Sequence, residues 1–289
     1  MHQIQSSQVK VSIESKGAEL KSIYHKTHGL EYMWSGDPAF WAKTSPVLFP
    51  IVGTLKNNQY FHDGHSFTLG RHGFARDRQF AVTQQSETSI KFTIEADENS
   101  LAVYPFKFRF NILYSLEGER LTVQYLVENT GEKTMLFSVG GHRAFKLPLV
   151  QGTAYEDYQL VFDKEENAGR WPISKDGLIE KSSQPLLNNS KVLPLDKDLF
   201  QKDAVVFKHL NSSSVQLTSP KTDHGLRFNF EGFPFLGLWA ATGADFLCIE
   251  PWCGIADSVD SDQQLKNKEG IISLSSGKEF AREWKVNFF

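Results

Sequence analysis

Three short segments concentrate side chains able to move protons near neutral pH: Arg71-His72-Gly73-Phe74-Ala75-Arg76, Gly140-Gly141-His142-Arg143-Ala144-Phe145 and Ile249-Glu250-Pro251-Trp252. Two imidazoles and a carboxylate can both give and take protons. Trp252, beside the carboxylate, offers an apolar face for a sugar ring. The combination points to acid–base chemistry on a carbohydrate, with neither metal nor cofactor. Glu250 ends the apolar run Phe246-Leu247-Cys248-Ile249, so burial against Trp252 should raise its pKa and nearby cations should lower it. A carboxylate that caps the sheet end or pairs with a buried arginine is the competing reading. His142 follows two glycines, which let the backbone approach a ligand closely; a core histidine bonded to a backbone carbonyl fits equally well. His72 lies between Gly70 and Gly73 with Arg71 and Arg76 flanking it, where an ordinary turn histidine is the alternative. Asp203 precedes Ala204-Val205-Val206-Phe207 and could reach a pocket rim or simply be solvated.

These residues need a scaffold, and the pattern around them is that of strands. Gln8–Glu14 alternates with Val9, Val11 and Ile13 on one face. Gln59–Leu69 reads as a hairpin turning at Asp63-Gly64. Gln79–Thr83 with Ser89–Ala96, and Lys107–Leu116 with Arg120–Glu128, read as two further pairs. More strands are expected at Tyr158–Phe162, Ala204–His209, Val215–Thr218, Leu226–Phe230, Phe235–Ala240, Phe246–Glu250, Ile271–Leu274 and Phe280–Phe289. Helical signal is limited to one turn at Ser100–Tyr104, stopped by Pro105. Asp163–Leu199 is the least regular stretch. The expectation is an all-β chain, a large antiparallel β-sandwich with few short helices, in one domain over residues 1–289.

Composition narrows the function classes. A net charge of −3 and a pI near 6.3 supply no basic surface for nucleic acid or an anionic membrane. The most apolar stretch, Phe233–Ile249, is interrupted by Pro234, Gly237, Gly243 and Asp245, too broken for a membrane span. The N-terminus lacks the basic and apolar parts of a signal peptide, so a cytoplasmic protein is expected. The two cysteines, Cys248 and Cys253, read as reduced thiols, since a disulfide framework needs more. No histidine has a companion at metal-ligand spacing, and neither a phosphate loop nor a G-x-S-x-G nucleophile elbow is present.

Taken in order, Ile13–Leu20, Tyr32–Lys56, His72–Arg76, Gly140–Phe145, Phe200–Leu210 and Phe233–Trp252 resemble the aldose 1-epimerase (galactose mutarotase) family, and within it the LacX-like branch. The resemblance runs over nearly the whole chain and implies a galactose mutarotase-like β-supersandwich with an open cleft. It implies that Glu250 is the general base, His142 the general acid and His72 a second histidine near the sugar ring oxygen. Asp203 matches the aspartate that binds substrate hydroxyls. Two positions depart from the family pattern. Thr54-Leu55-Lys56 stands where relatives usually carry arginine, so Lys56 or Arg76 is expected to supply that cation. Arg143 replaces the proline of Gly-Gly-His-Pro-Ala-Phe and should lower the His142 pKa. The implied substrate-binding set is Asp203, Arg76, Lys56, Trp252 and Arg71, with no cofactor or metal, and the chain is expected as monomer or homodimer. A hexose-6-phosphate 1-epimerase, using an Arg71, Arg76 and Arg143 cluster, is the near alternative. A non-catalytic sugar-binding protein on the same scaffold is the alternative of another class. A glycosidase would need a second carboxylate, for which only Asp203 or Asp257 is available.

Overall fold

Burial that alternates residue by residue builds the largest sheet. In the computed structural model, which describes residues 1–289, the strand Arg120–Asn129 buries Leu121, Val123, Tyr125 and Val127 to 1% exposure or less. Its partner Phe108–Glu117 buries Phe108, Phe110, Ile112, Tyr114 and Leu116 on the same side. Each such side chain contributes about 1.5–3 kcal/mol relative to exposure. Successive side chains of a strand face opposite ways, so this alternation fixes the register: a slip of one residue would expose the whole row.

Nine antiparallel strands join in the order Ser190–Pro194, Gln159–Glu166, Ser214–Ser219, Thr222–Asn229, Glu279–Phe288, Arg120–Asn129, Phe108–Glu117, Ser89–Glu95 and Ala81–Gln85. A six-stranded sheet runs Val205–Lys208, Phe235–Trp239, Phe246–Cys253, Val139–Gly141 and Val47–Leu48, with Arg143–Lys146 also paired to Phe246–Cys253. A four-stranded sheet is formed by His2–Gln5, Val9–Glu14, Glu19–His25 and Leu30–Glu31. A cluster of 69 buried residues draws on all three sheets, giving the antiparallel β-sandwich expected from the pattern.

The strand Phe246–Cys253 differs from those of the large sheet, because every one of its residues is buried. One face meets the main core. On the other, Phe246 and Cys248 also join the main core, while Trp252 belongs to a second apolar cluster of nine residues with Val206, Phe235 and Ala204. A strand covered on both faces reads as a continuous apolar run, with Glu250 its one ionisable carboxylate. Short helices are few: the α-helix Glu98–Val103 starts at Asp97, whose side chain caps the Ser100 amide, and ends before Pro105. The irregular stretch Asp163–Leu199 holds two-residue ladders and the edge strand Ser190–Pro194. No helix is long and apolar enough to cross a membrane. Both cysteines are free and buried.

Candidate active site

Register brings the distant segments together. Glu250 pairs with Gly237, and Trp252 with Phe235 on one side and Gly140 on the other. Alternation sends Glu250 and Trp252 to the same face. A β-carbon added at Gly237 would lie 2.5 Å from the Trp252 ring, and one at Gly140 would lie 2.8 Å from it. Both glycines are therefore required for the indole to lie flat across its neighbouring strands. Above this floor opens a cavity of about 360 Å³ lined by Trp41, Arg71, His72, Arg76, His142, Asp203, Ala204, Trp239, Glu250 and Trp252.

His142 sits in the break between Val139–Gly141 and Arg143–Lys146, and its amide donates to the Pro46 carbonyl at 3.1 Å. Buried Glu19 holds that neighbourhood, accepting from the Thr44 amide and hydroxyl and the Ser45 amide at 2.6–3.1 Å. The imidazole stacks on Trp41 with centroids 4.8 Å apart and meets the edge of Trp239 at 5.3 Å. Its Nε2 lies 3.4 Å from Glu250 Oε1. Burial pushes the His142 pKa down to about 3, helped by Arg71 and Arg76. Burial also lifts the Glu250 carboxyl well above the usual carboxylate range, against the pull of Arg71. Burial thus favours Glu250 over His142 as the holder of a proton in this pair, and Glu250 Oε2 has no protein hydrogen-bond partner.

His72 is fixed by the Gly53 peptide. The Gly53 amide donates to its Nδ1 at 3.0 Å, and the His72 amide donates to the Gly53 carbonyl at 2.9 Å. An N–H donated to Nδ1 leaves the ring proton on Nε2. The Arg71 Nε contact to that nitrogen at 3.3 Å is then packing rather than a hydrogen bond. Burial, then Arg71 and His142, hold His72 neutral by pushing its pKa well below the ordinary value. Two lining residues adopt the left-handed region, His72 at φ 69° and Asp203 at φ 74°. Such conformations in non-glycine residues concentrate at functional sites. Asp203 lies 3.7 Å from Arg71 and accepts from the Ala204 amide. Arg76 donates to the Arg71 carbonyl at 2.9 Å.

Seven of the eight residues selected from the sequence line this one cavity, and Lys56 does not. Its ammonium turns to the Ser261 carbonyl at 3.2 Å and its amide is held by Asp257. Arg143 also stands apart from Arg71 and Arg76. It follows His142 in an extended segment, so it faces the core, only 2% exposed. There its guanidinium lies 3.8 Å over the Trp284 ring and donates to the Tyr125 hydroxyl. The arginine cluster expected from sequence therefore reduces to two members. Trp41 and Trp239 were not selected. Trp239 lies two residues beyond Gly237 and so shares its face, but that this face meets Glu250 depends on strand register. Asp257, a candidate second carboxylate, is instead bound to buried Lys268 at 2.9 Å.

An aldose 1-epimerase family profile matches residues 1–271. The chain belongs to the aldose 1-epimerase family. It is therefore placed among isomerases of the mutarotase class, whose substrates are sugars. The plasmid-borne protein LacX of Lactococcus lactis subsp. lactis is 36% identical over 281 residues, 94% of each chain. A galactose mutarotase related enzyme from Lactobacillus acidophilus superposes with a TM-score of 0.94 at 35% identity, covering 100% of this chain and 97% of that one. A galactose mutarotase-like protein from Lactobacillus casei gives a TM-score of 0.93 at 29% identity, with 100% of both chains covered. This epimerase-family chain thus shares the architecture of those proteins from end to end.

Proposed function

We propose that this protein interconverts the α and β anomers of a free hexose by opening and reclosing the ring, with Glu250 and His142 as the proton-transfer pair. The observation that carries the reading is their 3.4 Å approach on the floor of an aromatic-walled cavity. A bound sugar hydroxyl donating to Glu250 supplies the hydrogen bond that Oε2 lacks, which favours the ionised carboxylate. The shared proton then resides on His142. Glu250 takes the proton of the anomeric hydroxyl, His142 delivers one to the ring oxygen, and the C1–O5 bond opens to the aldehyde. Rotation about C1–C2 and reversal of the two transfers give the other anomer. Neutral His72 offers its Nε2–H as a fixed donor near the ring oxygen, Arg71, Arg76 and Asp203 bind hydroxyls, and Trp252 carries the ring's apolar face. Each acid–base partner typically supplies about 100- to 10,000-fold in rate.

The one 69-residue core, fed by strands from both halves of the chain, supports reading residues 1–289 as one domain. The test of the activity is polarimetry of freshly dissolved α-galactose or α-glucose. Faster approach to equilibrium with the intact protein supports it, and no acceleration over a broad aldose panel overturns it. One feature favours a phosphorylated hexose instead: Arg71 and Arg76 both reach the rim, where guanidinium groups bind phosphate well. Competitive inhibition by inorganic phosphate separates that reading from the free-sugar one.

A further inference from the structure

We propose that the floor of the cavity is also a binding site for a thiophilic divalent cation, Zn²⁺ foremost, held by His142, Cys248 and Glu250. No sequence spacing shows this triad, because register rather than proximity in the chain assembles it. One ligand atom from each residue lies within 4.8 Å of the other two. Cys248 precedes Glu250 by two residues in the same strand, so alternation gives both the same face. Its partner across the ladder is Ala144, two residues beyond His142.

Two donors bound to Zn²⁺ at ~2.0–2.2 Å with tetrahedral angles stand ~3.3–3.6 Å apart. The His142 Nε2 to Glu250 Oε1 separation of 3.4 Å already has that length. The remaining edges require the thiol to draw in by a rotamer adjustment of about 1 Å to reach a similar span. Glu250 is 1% exposed, and its Oε2 has no protein hydrogen-bond partner that a cation would have to displace. Imidazole, thiolate and carboxylate together select zinc-like ions over Mg²⁺ or Ca²⁺, which prefer oxygen alone. His142 and Glu250 line the cavity, and Cys248 is fully buried.

Charge balance is favourable. His142 is already neutral and coordinates through Nε2 with its ring proton on Nδ1. Cys248 binds as the thiolate and Glu250 as the carboxylate, so any proton either carries is released to solvent on binding. Cation, thiolate and carboxylate then sum to zero. The charged and titratable groups around them are Arg71, Arg76, His72 and Asp203 in the cavity, Arg143 through the strand and buried Tyr155 near Cys248. Affinity accordingly rises with pH. Because His142 and Glu250 are also the atoms assigned to the sugar, metal and sugar exclude one another; that corollary alone rests on the proposed epimerase reading.

The test uses the full chain, stripped with chelator and titrated with Zn²⁺, and with Co²⁺ as an optical probe. One Co²⁺ per chain should bind with a thiolate-to-metal charge-transfer band, and Zn²⁺ should displace it. Cys248→Ser and Cys248→Ala should each abolish the band and weaken Zn²⁺ about tenfold or more. Glu250→Gln should weaken Zn²⁺ by a similar factor while the band survives. Cys253→Ser removes the other thiol, and His28→Ala disrupts a separate ring cluster of buried His25 with His28 and His224; both should leave binding unchanged. Undiminished Zn²⁺ affinity in both Cys248 variants, or loss of the band in Cys253→Ser or His28→Ala, overturns the proposal. These readouts need no sugar, so their failure is distinct from failure of the epimerase reading.

Discussion

The nine-stranded sheet and the six-stranded sheet are built from the same ladders but organised differently. In the large sheet, large apolar side chains alternate with polar ones, and only Gly225 interrupts a strand interior, the other glycines falling at turns such as Gly118. In the smaller sheet, glycines occupy strand interiors at Gly140, Gly141 and Gly237, and a carboxylic acid lies at the centre of its most buried strand. Side-chain atoms of three cavity residues, His142, Glu250 and Trp252, have no hydrogen-bond partner. Buried polar atoms left unmatched destabilise a fold by about 1–3 kcal/mol each. The large sheet supplies the stability that the small one gives up for chemistry.

Substitutions can break that division of labour. Glu250→Gln should lower kcat by about 100- to 10,000-fold while leaving the melting temperature nearly unchanged. Phe110→Ala, in the large sheet, should lower stability by about 3–5 kcal/mol and leave kcat per folded molecule intact. Denaturant titration beside polarimetry distinguishes the two, and a large stability loss in Glu250→Gln would contradict the comparison.

Arg143 crosses the boundary between the regions, because its backbone belongs to the site and its side chain to the core. A buried cation whose Nε and Nη1 lack partners is less stable than a well-packed apolar residue, so Arg143→Met should raise stability, by about 1–4 kcal/mol. The same change should move the pH profile. Turnover requires one proton on the Glu250–His142 pair. The acid limb of kcat/KM therefore follows addition of a second proton, near the His142 value of about 3. The alkaline limb follows loss of the last proton, at a pH well above the usual carboxylate range. Arg143 lowers both groups, so Arg143→Met should shift both limbs upward. A bell with its alkaline limb at an ordinary carboxylate pKa would refute the shared-proton account.

Smaller effects sharpen the picture. Gly237→Ala places a methyl against Trp252 and should raise KM by roughly tenfold, about 1.4 kcal/mol of binding, with kcat less affected. Lys56→Ala should leave KM within about twofold, a change of about 0.4 kcal/mol, since its ammonium serves the Ser261 carbonyl rather than the cavity. A large KM effect at Lys56 would place it at the sugar after all.

Much of the fold was legible because period-two burial is a local signal. Lys107–Leu116 with Arg120–Glu128 was expected as a hairpin, and Phe108–Glu117 with Arg120–Asn129 forms it. The helix starts earlier than expected, because the Asp97 and Ser100 capping pair outweighed the apolar cue. The lining residues were legible where they sat in compact motifs. Trp41 and Trp239 were not, because their relation to His142 depends on the pairing of strands far apart in sequence. Arg143 is the opposite case: consecutive residues of a strand face opposite sides, so alternation alone separates its side chain from that of His142.

The left-handed backbone at His72 limits how this site can change over generations. Most side chains are disfavoured there, and glycine, asparagine, aspartate and histidine are the residues that enter the region readily. Among these, only histidine and asparagine also present an uncharged N–H to a ligand. Drift at position 72 thus has few viable exits, and a lineage that gave up the donor would first have to rebuild the turn from Gly70 to Gly73.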